Sequence, residues 1–153
     1  MFSDLEMREP TFFYKKKAEA MALIQRNVSI KTRVVQKDQF ESGDRKLLNF
    51  GHTVGHALEN QYELSHGQAI SIGMAFAARL SAELTGFKQV DRVINLLEKY
   101  DLPTDVVYNK KKVFNALQKD KKKGADAINF ILLNKIGKGI IQSIPLHKLK
   151  DLL

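Results

Sequence analysis

A chain of 153 residues suits one compact domain with a real core, and 44% hydrophobic with 27% charged residues is a globular composition, not a disordered one. The absence of cysteine excludes disulfides and thiolate metal sites, so any metal must be held by nitrogen and oxygen. The mixed, acidic opening "MFSDLEMREP" and the lack of any run near the roughly 18 apolar residues of a membrane span exclude a signal peptide and a membrane helix, so a cytoplasmic protein is expected.

Pro10 suits the first turn of a helix running to about Arg26. The following stretch, "VSIKTRVVQKD", holds the β-branched Val28, Ile30, Val34 and Val35, yet the four-residue spacing of Ile30 and Val34 and the lack of turn residues favour helix. "FESGDR" reads as a loop broken at Gly43, with Asp44 available as an N-cap. A helix is then expected from Arg45 to about Tyr62. Beyond "ELSHG", the segment "QAISIGMAFAARLSAELTG" is apolar on nearly every side up to Gly86, as a central helix should be. "KQVDRVINLLEKYDLP" is an amphipathic helix ending at Leu102 before Pro103. "NKKKVFNALQKDKK" is a shorter one that turns Val113, Phe114 and Leu117 inward. "AINFILL" and "GIIQSI" flank "NKIGKG" as a hairpin, and "PLHKLKDLL" is a closing helix begun by Pro145, with His147 on its surface. No repeat or linker marks a boundary. The expected architecture is therefore mainly α, a single multi-helical domain over residues 1–153 with a small accessory β-hairpin near the C-terminus.

The net charge of +8 favours anionic partners: nucleic acid, an acidic membrane surface or a phosphorylated small molecule. Much of the excess lies in "NKKKVFNALQKDKKKG", residues 109–124, for which a solvated lysine-rich face is the simpler explanation.

The segment "RKLLNFGHTVGHALEN", residues 45–60, carries the chemistry. At about 100° per residue, Leu47, Phe50, Val54, Ala57 and Leu58 fall on a core side, and Arg45, Asn49, His52 and His56 form a stripe opposite. Such a stripe is what a wet helix face looks like, but this one holds a guanidinium, an amide and two imidazoles, no lysine, and only Glu59 at its edge. Gly51 and Gly55 each cost about 1 kcal/mol relative to alanine within a helix, and their four-residue spacing permits close approach of another helix or a ligand. Histidines at i and i+4 reach one metal in zinc-protease helices, but no glutamate follows the first one here. His66, in the loop "LSHGQ", is a third candidate ligand.

These two segments, "RKLLNFGHTVGHALEN" and "HGQAISIGMAFAARLS", closely resemble the C-terminal domain of 3-dehydroquinate synthases. The likeness extends through "KTRVVQKDQFESGDR" and "DKKKGADAINFILLNKIG", and so over most of the chain. It implies the metal- and NAD-dependent cyclase of the shikimate pathway, a lyase turning 3-deoxy-arabino-heptulosonate 7-phosphate into 3-dehydroquinate and phosphate. The steps are transient oxidation, phosphate elimination, re-reduction, ring opening and aldol closure. The resemblance implies His52 and His66 as two of three ligands to zinc or cobalt, and His56 as a substrate-contacting residue in proton transfer. It likewise implies Lys31, Glu41, Arg45, Asn49 and one of Lys121 and Lys122, with a slight preference for Lys122, as substrate-site residues; Lys31 and Lys122 would join His56 in catalysis. By their own surroundings in the sequence, Lys31 and Glu41 read as plain surface.

Missing are the family's upstream glutamate ligand, in a "GxAEVIK"-like segment, and the glycine-rich βα turn of the NAD-binding domain. Gln68 also stands where the family commonly has glutamate. The expectation is a C-terminal part, either an expressed fragment or a natural truncation, incompetent alone and partnered by an absent NAD-binding domain. Surface meant for that domain favours self-association, with a homodimer as the simplest form. Other readings are a 2-deoxy-scyllo-inosose synthase-like cyclase, a glycerol-type dehydrogenase, or a lysine-rich helical module binding nucleic acid, the last the least favoured.

Overall fold

The computed structural model describes residues 1–119 and 126–153. Lys121 and Lys122 lie outside the described residues. The fold is mainly helical with one two-stranded antiparallel hairpin near the C-terminus, as expected. It divides into two compact units, Met1–Leu48 and Asn49–Leu153, at a point where the sequence carries no linker signal. Among the described residues no helix is long and apolar enough to cross a membrane.

The first unit contains α1 (Phe2–Met7), α2 (Pro10–Lys15) and α3 (Lys17–Lys37). Pro10 opens α2 at its first turn. The chain breaks at Lys16, and α3 then runs unbroken through the β-branched stretch. No residue of this unit is buried, and Met21, Ile24 and Val28 of α3 are 56%, 56% and 58% exposed.

Asp38, just past α3, organises the loop that follows. Its carboxylate accepts the backbone N–H groups of Ser42, Gly43 and Arg45 at 2.9, 2.8 and 3.0 Å. Those of Arg45 and Gly43 do most to hold its pKa down to about 2. Asp44 does not serve as the cap: its carboxylate is turned to Lys37 Nζ, 3.0 Å away, and Asp38 already takes the loop amides.

The expected continuous helix from Arg45 to Tyr62 is not formed. A 3₁₀ helix covers Asp44–Asn49, and Gly51, at φ +83°, restarts the chain as α4 (His52–Glu59). Left-handed backbone interrupts the ladder there, so the stripe from Arg45 to His56 is not one helical face.

The second unit continues with α5 (His66–Thr85), α6 (Val90–Lys99), α7 (Lys110–Lys119), β1 (Ala127–Lys135), β2 (Lys138–Pro145) and α8 (Leu146–Leu152). Its core joins Val54, Ala57 and Leu58 of α4 to Ile72 and Leu80 of α5, Val113 and Leu117 of α7, and Leu149 of α8. Along β1, Ile128, Phe130 and Leu132 point into this core while Asn129 is exposed. Of the expected core side of the histidine segment, Val54, Ala57 and Leu58 are buried, whereas Leu47 and Phe50 are half-buried. The hairpin turns at Gly137, whose φ of +83° suits glycine alone without strain. Ser81 and Thr85 of α5 reach Leu133 of β1 and fasten the hairpin to the central helix.

Candidate metal and substrate site

The site is built on a helix contact made of backbone. A Cβ on Gly73 of α5 would run into the carbonyl oxygen of Gly51 and lie 2.8 Å from the amide nitrogen of Gly55. From the other side, a Cβ on Gly51 would lie 2.7 Å from Met74 N, and one on Gly55 3.0 Å from Ala69 O. Glycine at these three places lets α4 lie directly on α5, so the close approach expected of Gly51 and Gly55 is made by a neighbouring helix. It brings His52 and His56 of α4 beside His66, the first residue of α5.

The three imidazoles form a triangle. Ring centroids are 5.3 Å apart for His52 and His56, 5.9 Å for His52 and His66, and 5.9 Å for His56 and His66. His52 is half-buried, and His56 and His66 are exposed. The Nδ1 atoms of two rings face fixed acceptors: that of His52 lies 3.3 Å from Phe50 O, and that of His66 lies 3.1 Å from Glu59 Oε2. Carbonyl and carboxylate oxygens only accept, so each contact is a hydrogen bond in the form of the ring that carries a proton on Nδ1.

One ligand atom each from His56, Glu59 and His66 lie within 4.8 Å of one another, the grouping of metal-binding type found among the described residues, and His52 is not part of it. Glu59 received no role in the sequence reading beyond marking the edge of the stripe. A signal was present in its position: a carboxylate in the last turn opposes the negative end of the helix dipole and needs a local reason.

His66 is held by the start of its own helix. Ser65 Oγ accepts the N–H of Gln68, and Gln68 Oε1 accepts the N–H of Ser65 at 3.0 Å, a complete capping box. Gln68, where the resemblance leads one to expect glutamate, closes the box as well, because a glutamine carbonyl accepts that N–H as a carboxylate does.

Within the first unit, Arg45 Nη1 donates to Gln39 O at 2.7 Å, and its Nε lies 3.9 Å from Glu41 Oε2. Glu41 takes a φ of +55°, uncommon for a residue with a side chain. Lys31 is exposed on α3, and Asn49 closes the 3₁₀ helix. A cleft of about 500 Å³ lies elsewhere, lined by Lys110, Lys111, Phe114, Asn115 and Lys150. Size does not make it the site, since these lining residues include no imidazole or carboxylate. His147 is exposed, as expected.

Residues 1–123 match the family model described as 3-dehydroquinate synthase C-terminal. The 3-dehydroquinate synthase of Pyrococcus abyssi is 41% identical over 125 residues, 80% of this chain and 37% of that protein. That of Caldanaerobacter subterraneus is 37% identical over 150 residues, 94% of this chain and 42% of its own length. The chain thus spans less than half the length of these relatives. Among solved structures, 2-deoxy-scyllo-inosose synthase complexed with carbaglucose-6-phosphate, NAD+ and Co2+ is similar at a TM-score of 0.70 and 27% identity, over 82% of this chain and 39% of that one. A 2-epi-5-epi-valiolone synthase from Streptomyces hygroscopicus with NAD+ and Zn2+ bound shares the fold, with a TM-score of 0.73 at 22% identity over 87% of this chain and 39% of that one.

Proposed function

The chain belongs to the 3-dehydroquinate synthase C-terminal family, and on that premise we propose that it is the metal- and substrate-binding part of a cyclase that eliminates phosphate from 3-deoxy-arabino-heptulosonate 7-phosphate. The observation carrying this reading is the cluster of His52, His56 and His66, with Nδ1 of His52 and of His66 each against an acceptor. Metal-ligating histidines are ordinarily held this way. Imidazole nitrogens suit zinc and cobalt alike. When bound, such an ion polarises a substrate oxygen and stabilises the negative charge that develops there.

The chain's own residues supply binding and proton transfer. Arg45 offers a guanidinium steadied by Gln39 and Glu41, suited to bidentate contact with phosphate or carboxylate. Lys31 and one of Lys121 and Lys122 add compact positive charge, and Asn49 donates and accepts hydrogen bonds on substrate hydroxyls. His56 takes a proton at a ring nitrogen and returns it to a leaving or forming oxygen. NAD would be held by a separate nucleotide-binding domain, so this chain alone is read as incompetent.

A second reading, a cyclase acting on a hexose phosphate, draws on the likeness to 2-deoxy-scyllo-inosose synthase. A chimera in which this chain replaces the matching segment of the Pyrococcus abyssi relative decides between them. Phosphate release from the heptulosonate phosphate is expected; turnover of glucose 6-phosphate instead would favour the second reading. Enzyme-like phosphate release by the isolated chain with zinc or cobalt and NAD would overturn its incompetence.

A further inference from the structure

Glu59 ends α4 seven residues before His66 and is the residue whose side chain meets that imidazole. Its carboxylate sits where the helix dipole disfavours negative charge. A cation or a hydrogen-bond donor near the helix end offsets this, and Nδ1 of His66, 3.1 Å away, is placed to be that donor. Free imidazole in water prefers its proton on Nε2, the atom that would have to bind a metal. Contact with Glu59 reverses that preference, and the Ser65–Gln68 capping box fixes the backbone from which the ring projects. His52 reaches the same state through a main-chain carbonyl, so of the two orienting contacts only that of His66 depends on a replaceable side chain.

We propose that Glu59 is a positioning residue that holds His66 in the Nδ1–H tautomer with Nε2 presented for metal, rather than a metal ligand itself. The inference rests on His66 being a ligand, and two arms separate its failure from failure of that reading. In the first, long-range 1H–15N spectra of the metal-free chain, recorded above the imidazole titration, report which nitrogen of His66 carries the proton. Nδ1–H is expected in the parent and in Glu59→Gln, whose side-chain carbonyl still accepts; Glu59→Ala should return His66 to Nε2–H while the helical circular dichroism persists. A parent already in the Nε2–H form, or a tautomer indifferent to Glu59→Ala, overturns the proposal, and the parent spectrum decides even if the alanine variant does not fold.

The second arm adds Zn2+. Coordination through Nε2, with affinity falling about 10- to 100-fold in Glu59→Ala, is expected. Coordination through Nδ1 with Glu59 alongside would make Glu59 a ligand and overturn the proposal. A His66 ring that responds to Glu59 but not to Zn2+ would instead sink the metal reading under which Glu59 was given its task.

Discussion

The hydroxyl of Ser81 accepts the backbone N–H of Leu133 at 2.8 Å, so a helix side chain serves as hydrogen-bond partner to the end of β1. Thr85 Oγ1 lies 2.6 Å from the carbonyl oxygen of the same leucine. Ser81 is fully buried, and water cannot replace it. Ser81→Ala should destabilise the second unit by about 1–3 kcal/mol, the penalty for an orphaned buried donor. Urea unfolding should show a lower midpoint with an unchanged slope.

Gly73→Ala should be worse tolerated than a typical small-to-large change, because what its Cβ meets is the backbone of Gly51 and Gly55. A loss of about 1–3 kcal/mol or more is expected, visible as a lowered Tm. Gly67→Ala in the same helix is the control, since nothing lies within 4 Å of the added carbon. That change should be neutral or stabilising by up to about 1 kcal/mol.

Ser65→Ala should cost about 1 kcal/mol by removing the N-cap acceptor of α5. Gln68→Glu keeps the capping box and should change stability by less than about 0.5 kcal/mol. A large gain on restoring glutamate would show that Gln68 weakens the start of this helix; thermal unfolding of both variants settles it.

Acid sensitivity in the first unit should trace to Asp38. Its carboxyl has an ordinary pKa of 3.8 in the unfolded chain and about 2 in the folded loop. The folded state therefore binds fewer protons in this window, and the contribution of Asp38 is fully present above pH 3.8 and is lost as pH falls through about 2. Hydrogen-exchange protection of the Gly43 and Arg45 amides should fall across that window in the parent. In Asp38→Ala, which removes the acceptor, it should be low throughout; protection in the parent that does not change with acid would refute the assignment.

The helical class, the hairpin and most of the inward-facing residues were legible because hydrophobic period and turn residues are local properties. Val54, Ala57, Leu58, Val113 and Leu117 sit where the period put them. The break at Gly51 was not legible from period, since a 3₁₀ turn and an α-helix place similar residues inward and only the backbone angle tells them apart. Asp38 was passed over for Asp44 for a related reason: a cap is read from adjacency to the helix start, whereas Asp38 reaches forward across a folded loop. At the site, His52, His56 and His66 were singled out and do converge. Their division into ligands and substrate contact came from family likeness, and the partner that orients His66 could be found only once α4 and α5 were set side by side.

The glycine contact between α4 and α5 also bears on the thermodynamics of ion binding. Backbone packed on backbone has few alternative arrangements, so under the proposed reading His52 and His66 are gathered before any ion arrives, and little conformational entropy remains to be surrendered on binding. In small zinc domains the ion assembles its own ligands, and chelation unfolds them. Here Val54, Leu58, Phe130 and their neighbours give the second unit a hydrophobic core of its own. A chelator should lower the unfolding temperature of ion-loaded protein only by the mass-action contribution of the bound ion and leave the second unit folded.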